Sequence, residues 1–173
     1  RAVPETVAER SRLLLLDGYS GTGKSSLLRL SAGLNEASEG QLTLEGGNPE
    51  LSLGQQAHYI AHQEAVKSAL TVAENLNFWR DFMGGGDVGT ALAAFDLSRL
   101  ASYPAGLLSA GQKRRLALAR LVLAPRVLWL LDEPTVGLDA ASLEGLVKVM
   151  TRHLDAGGMI IAATHVPLGR APD

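Results

Sequence analysis

The stretch that decides the fold is DGYSGTGKSSLLRL, Asp17–Leu30, which follows the apolar run LLLL at residues 13–16. Three glycines lie in the six residues that precede Lys24, and the sequence then becomes rich in leucine. An apolar run that ends at Asp-Gly predicts a buried strand followed by a turn. The pattern Gly18-x-x-x-x-Gly23-Lys24-Ser25 therefore lies between a strand and a helix, the context that a phosphate-binding loop requires.

The composition of this loop has a direct chemical reason. Glycines let successive backbone N–H groups turn towards phosphate oxygens, and the next helix presents its unpaired N–H groups to the same anion. Lys24 would add a full charge on the β and γ phosphates, and Ser25 would offer a hydroxyl to Mg²⁺. The alternative is a glycine-rich turn with a solvated lysine. We assign nucleotide contacts to Gly18, Tyr19, Ser20, Gly21, Thr22, Gly23, Lys24, Ser25 and Ser26.

A second constellation is VLWLLDEP, Val127–Pro134, an apolar strand that ends in two carboxylates. Asp132, at the strand tip, could hold Mg²⁺ through water, as a site of this kind needs. Glu133 points elsewhere and could act as general base on an attacking water. The alternative is an acidic turn between a strand and a loop.

The rest of the chain alternates strands with helices, which predicts an α/β domain with a mostly parallel sheet. Between Thr71 and Leu108 the pattern is nearly all helical, which suggests a helical subdomain inserted into the core. The sequence QLTLEGGNPE, residues 41–50, predicts an edge strand and a turn. Further strands are expected at 57–61, 127–131 and 159–163, and helices at 24–33, 110–124 and 140–156.

Composition bounds the classes of protein that fit. The 173 residues are 46% apolar, which suits one domain with a sizeable core. The formal net charge of −2 gives no electrostatic case for nucleic acid as the main partner, and Lys113-Arg114-Arg115 is interpreted as a solvated helix face. Without cysteine, disulfides and thiolate metal sites are excluded. With no long apolar run and no visible signal peptide, we expect a soluble, cytoplasmic chain.

Upstream of Asp132, the sequence LSAGQ at residues 108–112 resembles the signature motif of ATP-binding-cassette ATPases. Gln63 resembles the Q-loop glutamine of that family, GLDA at 137–140 its D-loop, and His165 its switch histidine. These motifs follow the family's order, and the resemblance covers nearly the whole chain from Leu13. It implies an α/β P-loop NTPase fold with a mostly parallel core sheet, one domain over residues 1–173, and a helical subdomain at 71–108.

The resemblance also implies a mechanism. Two copies would face head to tail and trap ATP and Mg²⁺ between them, with Ser109, Gly111 and Gln112 of one copy on the ATP of the other. Gln63 would bind Mg²⁺, sense the γ-phosphate and signal to an integral membrane subunit. Each assignment has an alternative: Ser109, Gly111 and Asp139 could simply cap helices, Gln63 could be a surface glutamine, and His165 a hydrogen-bonded histidine at a strand end.

Finer features resemble one subfamily, the ATP-binding subunits of the haem exporter of bacterial cytochrome c maturation. They are His62-Gln63 and the sequences QKRRLALAR, LWLLDEP and THVPL. The resemblance implies a peripheral protein on the cytoplasmic face of the bacterial inner membrane. One departure is the start: only twelve residues precede Leu13 and none is aromatic, so we expect a shortened antiparallel subdomain.

Other functions fit parts of the pattern. The ATPase could serve a different small importer or exporter. A soluble cassette ATPase in DNA repair or translation usually carries a coiled-coil insertion or a second fused cassette, and this chain has neither. A nucleotide-binding regulator that does not hydrolyse ATP would not need Glu133 and His165.

Overall fold

The computed structural model describes residues 12–16, 19, 22–40, 42–165 and 168. The described chain contains four strands and five helices, three of which follow one another between the second and third strands. The strands are β1 (Leu13–Leu16), β2 (Ala57–Ile60), β3 (Leu128–Asp132) and β4 (Met159–Ala163). The helices are α1 (Lys24–Ser31), α2 (Val72–Met83), α3 (Val88–Ala94), α4 (Ala110–Leu123) and α5 (Ala140–Asp155), with short 3-10 turns at Gly54–Gln56, Ser98–Leu100 and Ala105–Leu107.

The strands form one sheet in the order β1-β4-β3-β2, and all three pairings are parallel. Because neighbouring strands run in the same direction, each connection must cross back over the sheet, and helices make these crossings. The predicted α/β architecture with a parallel core sheet is confirmed.

Both faces of the sheet are covered by apolar side chains. Along β3, Leu128 and Leu130 face a smaller cluster that includes Leu28 of α1, whereas Trp129 and Leu131 face a larger one. The larger cluster takes side chains from α2, α3, α4 and α5. A strand buried on both faces becomes continuously apolar, which explains why LWLL carries no polar residue.

The stretch from Gln41 to Glu50 was expected to form an edge strand and a turn. The strand is wrong for residues 42–44, which contain none, whereas the turn is confirmed at 45–47 and 49–50. The buried side chain of Gln56 holds the turn. Its amide oxygen accepts from the Asn48 N–H at 2.6 Å, and its amide nitrogen donates to the carbonyls of Asn48 and Leu51, both at 3.0 Å. These bonds satisfy backbone groups of residues 48–51 locally, whereas residues 42–44 pair with no strand of the described chain.

The segment from Thr71 to Leu108 is largely helical, as its pattern predicts. Thr71 begins α2 with a capping box: its hydroxyl accepts from the Glu74 N–H, and the Glu74 carboxylate accepts from the Thr71 N–H. Helices α2 and α3 both pack on α4, and their buried side chains join the larger cluster of the sheet. That this segment forms a subdomain stays a prediction. No helix of the described residues is both long and apolar enough to cross a bilayer.

Two histidines lie on either side of Trp129 in the core. The His153 ring stacks on the indole at 3.8 Å between centroids, and its Nε2 lies 3.2 Å from the Met159 carbonyl. His58 is buried, with its Nε2 2.7 Å from the carbonyl oxygen of Ala124. Burial lowers the pKa of His58 to about 4, against the opposing effect of the Ala124 hydrogen bond, and burial also lowers the pKa of His153. Both rings are therefore neutral in the folded chain near pH 7.

We expect this arrangement to make the fold sensitive to acid. The unfolded chain takes up a proton at His58 near pH 6.5, whereas the folded chain does so only near pH 4, so the free energy of unfolding falls as pH drops through that window. At about 1.4 kcal/mol per pKa unit, the contribution is on the order of 3 kcal/mol.

His58→Gln removes the titration of this ring. Between neutral pH and pH of about 5 its melting temperature should fall less than that of the parent, with His153 still contributing to the loss. His62→Gln, at an exposed position, is the control and should keep the parent's pH dependence. An unchanged pH dependence in His58→Gln would contradict the account.

Candidate active site

An open cavity of about 370 Å³ lies at the carboxyl edge of the sheet. Every residue that lines it follows or ends a strand: residues 23–26 come after β1, His62 after β2, Asp132 and Glu133 at the end of β3, and His165 after β4. Parallel strands bring their carboxyl ends to one edge, and ligands of open α/β sheets bind there. The cavity therefore collects side chains that are far apart in sequence.

The N-terminus of α1 forms one wall of this cavity. Gly23 caps the helix at φ 93°, without a side-chain cap, so the first N–H groups of the helix are available to an anion. The left-handed φ favours glycine there. The Lys24 ammonium donates to the Tyr19 carbonyl at 3.1 Å, and so does the Thr22 hydroxyl at 2.8 Å. Predicted contacts at Gly18, Ser20 and Gly21 lie outside the described residues; Tyr19 and Ser26 are exposed.

Ser25 and Asp132 join the loop to the sheet. The Ser25 hydroxyl donates to Asp132 Oδ1 at 3.1 Å, and Asp132 is only 4% exposed. A hydroxyl beside a carboxylate fits the oxygen preference of Mg²⁺. In the part of the chain that the structure describes, no group of three acidic or histidine side chains could hold a metal by itself. An ion here would therefore depend on phosphate oxygens and water for its other ligands, as Mg²⁺ sites with nucleotides do.

Glu133 and His165 form the opposite wall. His165 Nε2 lies 3.5 Å from Glu133 Oε1, and the two side chains are 57% and 21% exposed. Glu133 has a positive φ of 48°, and its N–H donates to the Ala163 carbonyl at 2.7 Å. Such a conformation costs about 1–3 kcal/mol and persists where the surroundings enforce it, often at a functional site. Asp132 and Glu133 are adjacent in sequence and line one cavity, but Asp132 contacts Ser25 whereas Glu133 lies beside His165.

Gln63 does not line the cavity. It is exposed, and its neighbour His62 lines the cavity instead. In the sequence, His62 stands out only as a subfamily marker, and its position after β2 is the signal that could have placed it in the site.

The signature residues Ser109, Gly111 and Gln112 also lie outside the cavity, at the start of α4. Ser109 and Gln112 form a capping box: the Ser109 N–H donates to Gln112 Oε1 at 2.8 Å, and the Gln112 N–H donates to the Ser109 hydroxyl at 3.2 Å. A Cβ at Gly111 would lie 2.9 Å from the Gly137 carbonyl, so glycine permits close packing on the D-loop turn. Ser109 thus caps a helix in the single chain, and its contact with a second copy stays a prediction.

Asp139 likewise caps a helix. Its Oδ1 accepts from the Ser142 N–H at 2.8 Å, at the start of α5. Hydrogen bonds from the Ser142 side chain and then from its backbone N–H lower the pKa of the Asp139 carboxyl, which favours the charged form next to the positive end of the helix. The capping alternative for this residue is confirmed.

One residue of the basic run at 113–115 was misassigned by sequence. Arg114 is 1% exposed, so its interpretation as part of a solvated face is wrong. It lies four residues before Leu118 and seven before Leu121, both buried, and this helical spacing was the signal that could have placed it inside. Arg115, by contrast, donates to the carbonyls of Phe95 and Asp96 near the surface.

The elements that meet at this cavity define the chain as a P-loop ATPase. The chain belongs to the ABC transporter family, whose family model matches residues 5–136. It is an ATP-binding and ATP-hydrolysing subunit of that family. The structure has the fold of a solved ATP-binding subunit of an ABC transporter, with a TM-score of 0.80 and 24% identity over 92% of this chain and 71% of that one.

Two relatives are similar over nearly the whole chain. The cytochrome c biogenesis ATP-binding export protein CcmA of Nitrobacter winogradskyi is 53% identical over 169 residues, which cover 96% of this chain and 84% of the relative. The protein of the same name from Nitrobacter hamburgensis is 51% identical over 96% of this chain and 85% of the relative.

The phosphate-binding wall predicts a thermal shift. ATP with Mg²⁺ at 100 times the Kd should stabilise the chain by about 2.7 kcal/mol. Lys24→Ala should remove most of this stabilisation, because the cavity loses its charge on the phosphates. The measurement is the melting temperature with and without MgATP. Lys148→Ala, on an exposed lysine of α5 paired with Glu144, is the control; an undiminished shift in Lys24→Ala would contradict the assignment.

Proposed function

We propose that this chain is the ATPase subunit of a haem-export complex in bacterial cytochrome c biogenesis. The observation that carries the proposal is 53% identity to a protein of that name over 96% of the chain. Such a subunit would act at the cytoplasmic face of the inner membrane as a peripheral protein. The candidate site supports the ATPase part, since both carboxylates and His165 line one cavity with the phosphate-binding lysine.

In the proposed site each residue has a separate task. The α1 N-terminus and Lys24 hold the phosphates. Mg²⁺ would be held by Ser25 and, through water, by Asp132, with Gln63 as a further ligand. The ion would neutralise phosphate charge. Glu133 would take the proton from the attacking water, and His165, 3.5 Å away, would orient that carboxylate and contact the γ-phosphate.

The proposal includes a second copy in head-to-tail contact. Ser109, Gly111 and Gln112 start α4 outside the cavity, so in one chain they cannot reach its own nucleotide site. A two-fold pairing would place them on the partner copy's ATP. In such a pair each ATP is enclosed by two chains, and neither chain is complete alone.

The proposed membrane partner would dock on α2. Leu76 of this helix is fully buried and belongs to the core, so it is not part of the docking surface. Phe78 and Phe82 are 42% and 75% exposed and both pack edge-to-face on Trp79. The ammonium of Lys67 lies 4.5 Å from the centre of the Phe78 ring. These aromatic side chains follow Gln63 along the chain, and a helix of a membrane subunit could cover them.

Glu133→Gln tests the role of the base. The amide keeps the shape of the side chain but cannot accept a proton from water, so hydrolysis should slow by roughly 10²–10⁴-fold. The Kd for MgATP should stay close to that of the parent. With MgATP present, light scattering should show a dimer of the variant, because the trapped nucleotide holds two copies together. Retained turnover would remove Glu133 from the mechanism.

A cellular assay tests the transport system that the ATPase serves. In a bacterium whose own copy is replaced by Lys24→Ala, c-type cytochromes should lack covalently bound haem, because ATP binding fails. The measurement is haem-dependent staining of these cytochromes in the membrane fraction. Lys148→Ala should preserve them. Normal c-type cytochromes in the Lys24→Ala strain would overturn the proposed transport system but not the ATPase assignment.

A further inference from the structure

The buried Arg114 contacts two of the three segments that carry the predicted catalytic residues. Its Nη1 donates to the carbonyls of Ala61 at 2.8 Å and His62 at 3.4 Å. On the other side, three consecutive carbonyls from the last residue of β3 onward accept from the same guanidinium: Asp132 at 3.1 Å, Glu133 at 2.6 Å and Pro134 at 3.4 Å. The side chain therefore joins the residues before Gln63 to the two carboxylate residues.

The charge of Arg114 is buried, and all five of its hydrogen-bond acceptors in the described chain are backbone carbonyls. Burial lowers the pKa of Arg114, whereas the charges of Glu64, Asp132 and Glu133 raise it, and an arginine stays protonated in proteins. No ion pair of the described residues includes Arg114 at 4.0 Å or less. Carbonyl dipoles in hydrogen-bond contact, together with those more distant carboxylates, offset the cost of burying the charge, and that requires several carbonyls in fixed positions.

The contact at Glu133 has a particular consequence. Glu133 has a left-handed backbone, with φ at 48°. Its N–H is held by the Ala163 carbonyl at 2.7 Å, and its own carbonyl accepts the shortest of the five Arg114 hydrogen bonds. The two bonds fix the peptide groups before and after Glu133, and together they offset the strain of that conformation.

We propose that Arg114 is a positioning residue that holds Glu133 in its conformation for hydrolysis and acts on the reaction only through Glu133. This inference rests on the role of Glu133 as general base proposed above. A lysine would keep the charge, but a single ammonium cannot span two segments as the planar fork of arginine does.

A comparison of kcat with the Kd for MgATP distinguishes this positioning role from a general destabilisation of the fold. Arg114→Lys should lower kcat by about tenfold or more while the Kd for MgATP changes by less than about threefold, because Lys24 and the α1 N-terminus still hold the phosphates. Arg114→Gln should lower kcat further. If the Gln variant does not fold, as judged by its melting temperature, the Lys variant carries the test. Arg115→Lys, on the same helix, is the control and should keep the parent's kcat.

A double-mutant cycle provides the decisive readout. If Arg114 acts through Glu133, adding Arg114→Lys to Glu133→Gln should cause no further loss of turnover, because the group being positioned no longer takes a proton. A loss in that background equal to the loss in the parent would overturn the proposal, as would a kcat for Arg114→Lys equal to the parent's. Fast turnover by Glu133→Gln alone would instead refute the proposed base.

Discussion

The parallel pairing of all four strands brings their carboxyl ends to one edge of the sheet. Because of this constraint, segments as distant in sequence as residues 23–26 and His165 line a single cavity. The hydrogen bond from Ser25 to Asp132 then ties α1 to the central strand β3. Within one chain, the positions of the groups that we assign to phosphate binding, to Mg²⁺ and to the base all depend on this parallel pairing of strands. The groups at the start of α4 do not, because we expect them to act on the ATP of a second copy.

The site also includes features that cost stability by themselves. Glu133 has a left-handed backbone, and Arg114 places a charge in the interior. One hydrogen bond offsets both costs. The Glu133 carbonyl accepts from the Arg114 guanidinium, so it helps to solvate the buried charge and at the same time holds the left-handed backbone of Glu133. Arg114 lies on the helix that Ser109 caps. The two predicted functions of α4, contact with a second ATP and support of the chain's own carboxylates, are thus joined by one rigid element.

Sequence predicted the elements and the cavity because their signals are local. A glycine-rich loop follows one apolar run and two acids follow another, and these local patterns locate Lys24, Ser25, Asp132 and Glu133, which line one cavity. Arg114 was missed because three consecutive basic residues suggest a solvated face, and the carbonyls that accept from it come from segments 18–53 residues away. The strand expected from Gln41 failed because a strand needs a neighbouring strand to pair with, and residues 42–44 pair with none in the described chain. Side chains that bond to distant backbone leave no periodic pattern to detect.

We propose that one chain supplies half of an ATP site and that a second copy supplies the rest. The most direct measurement is photolabelling with an ATP analogue that carries its reactive group on the γ-phosphate. Parent chains would be mixed with differently tagged Lys24→Ala chains, which cannot hold phosphate themselves. The account predicts label on the start of α4, near Ser109, in the Lys24→Ala chains, and only when the parent is present. Label confined to the parent's own chains would contradict it.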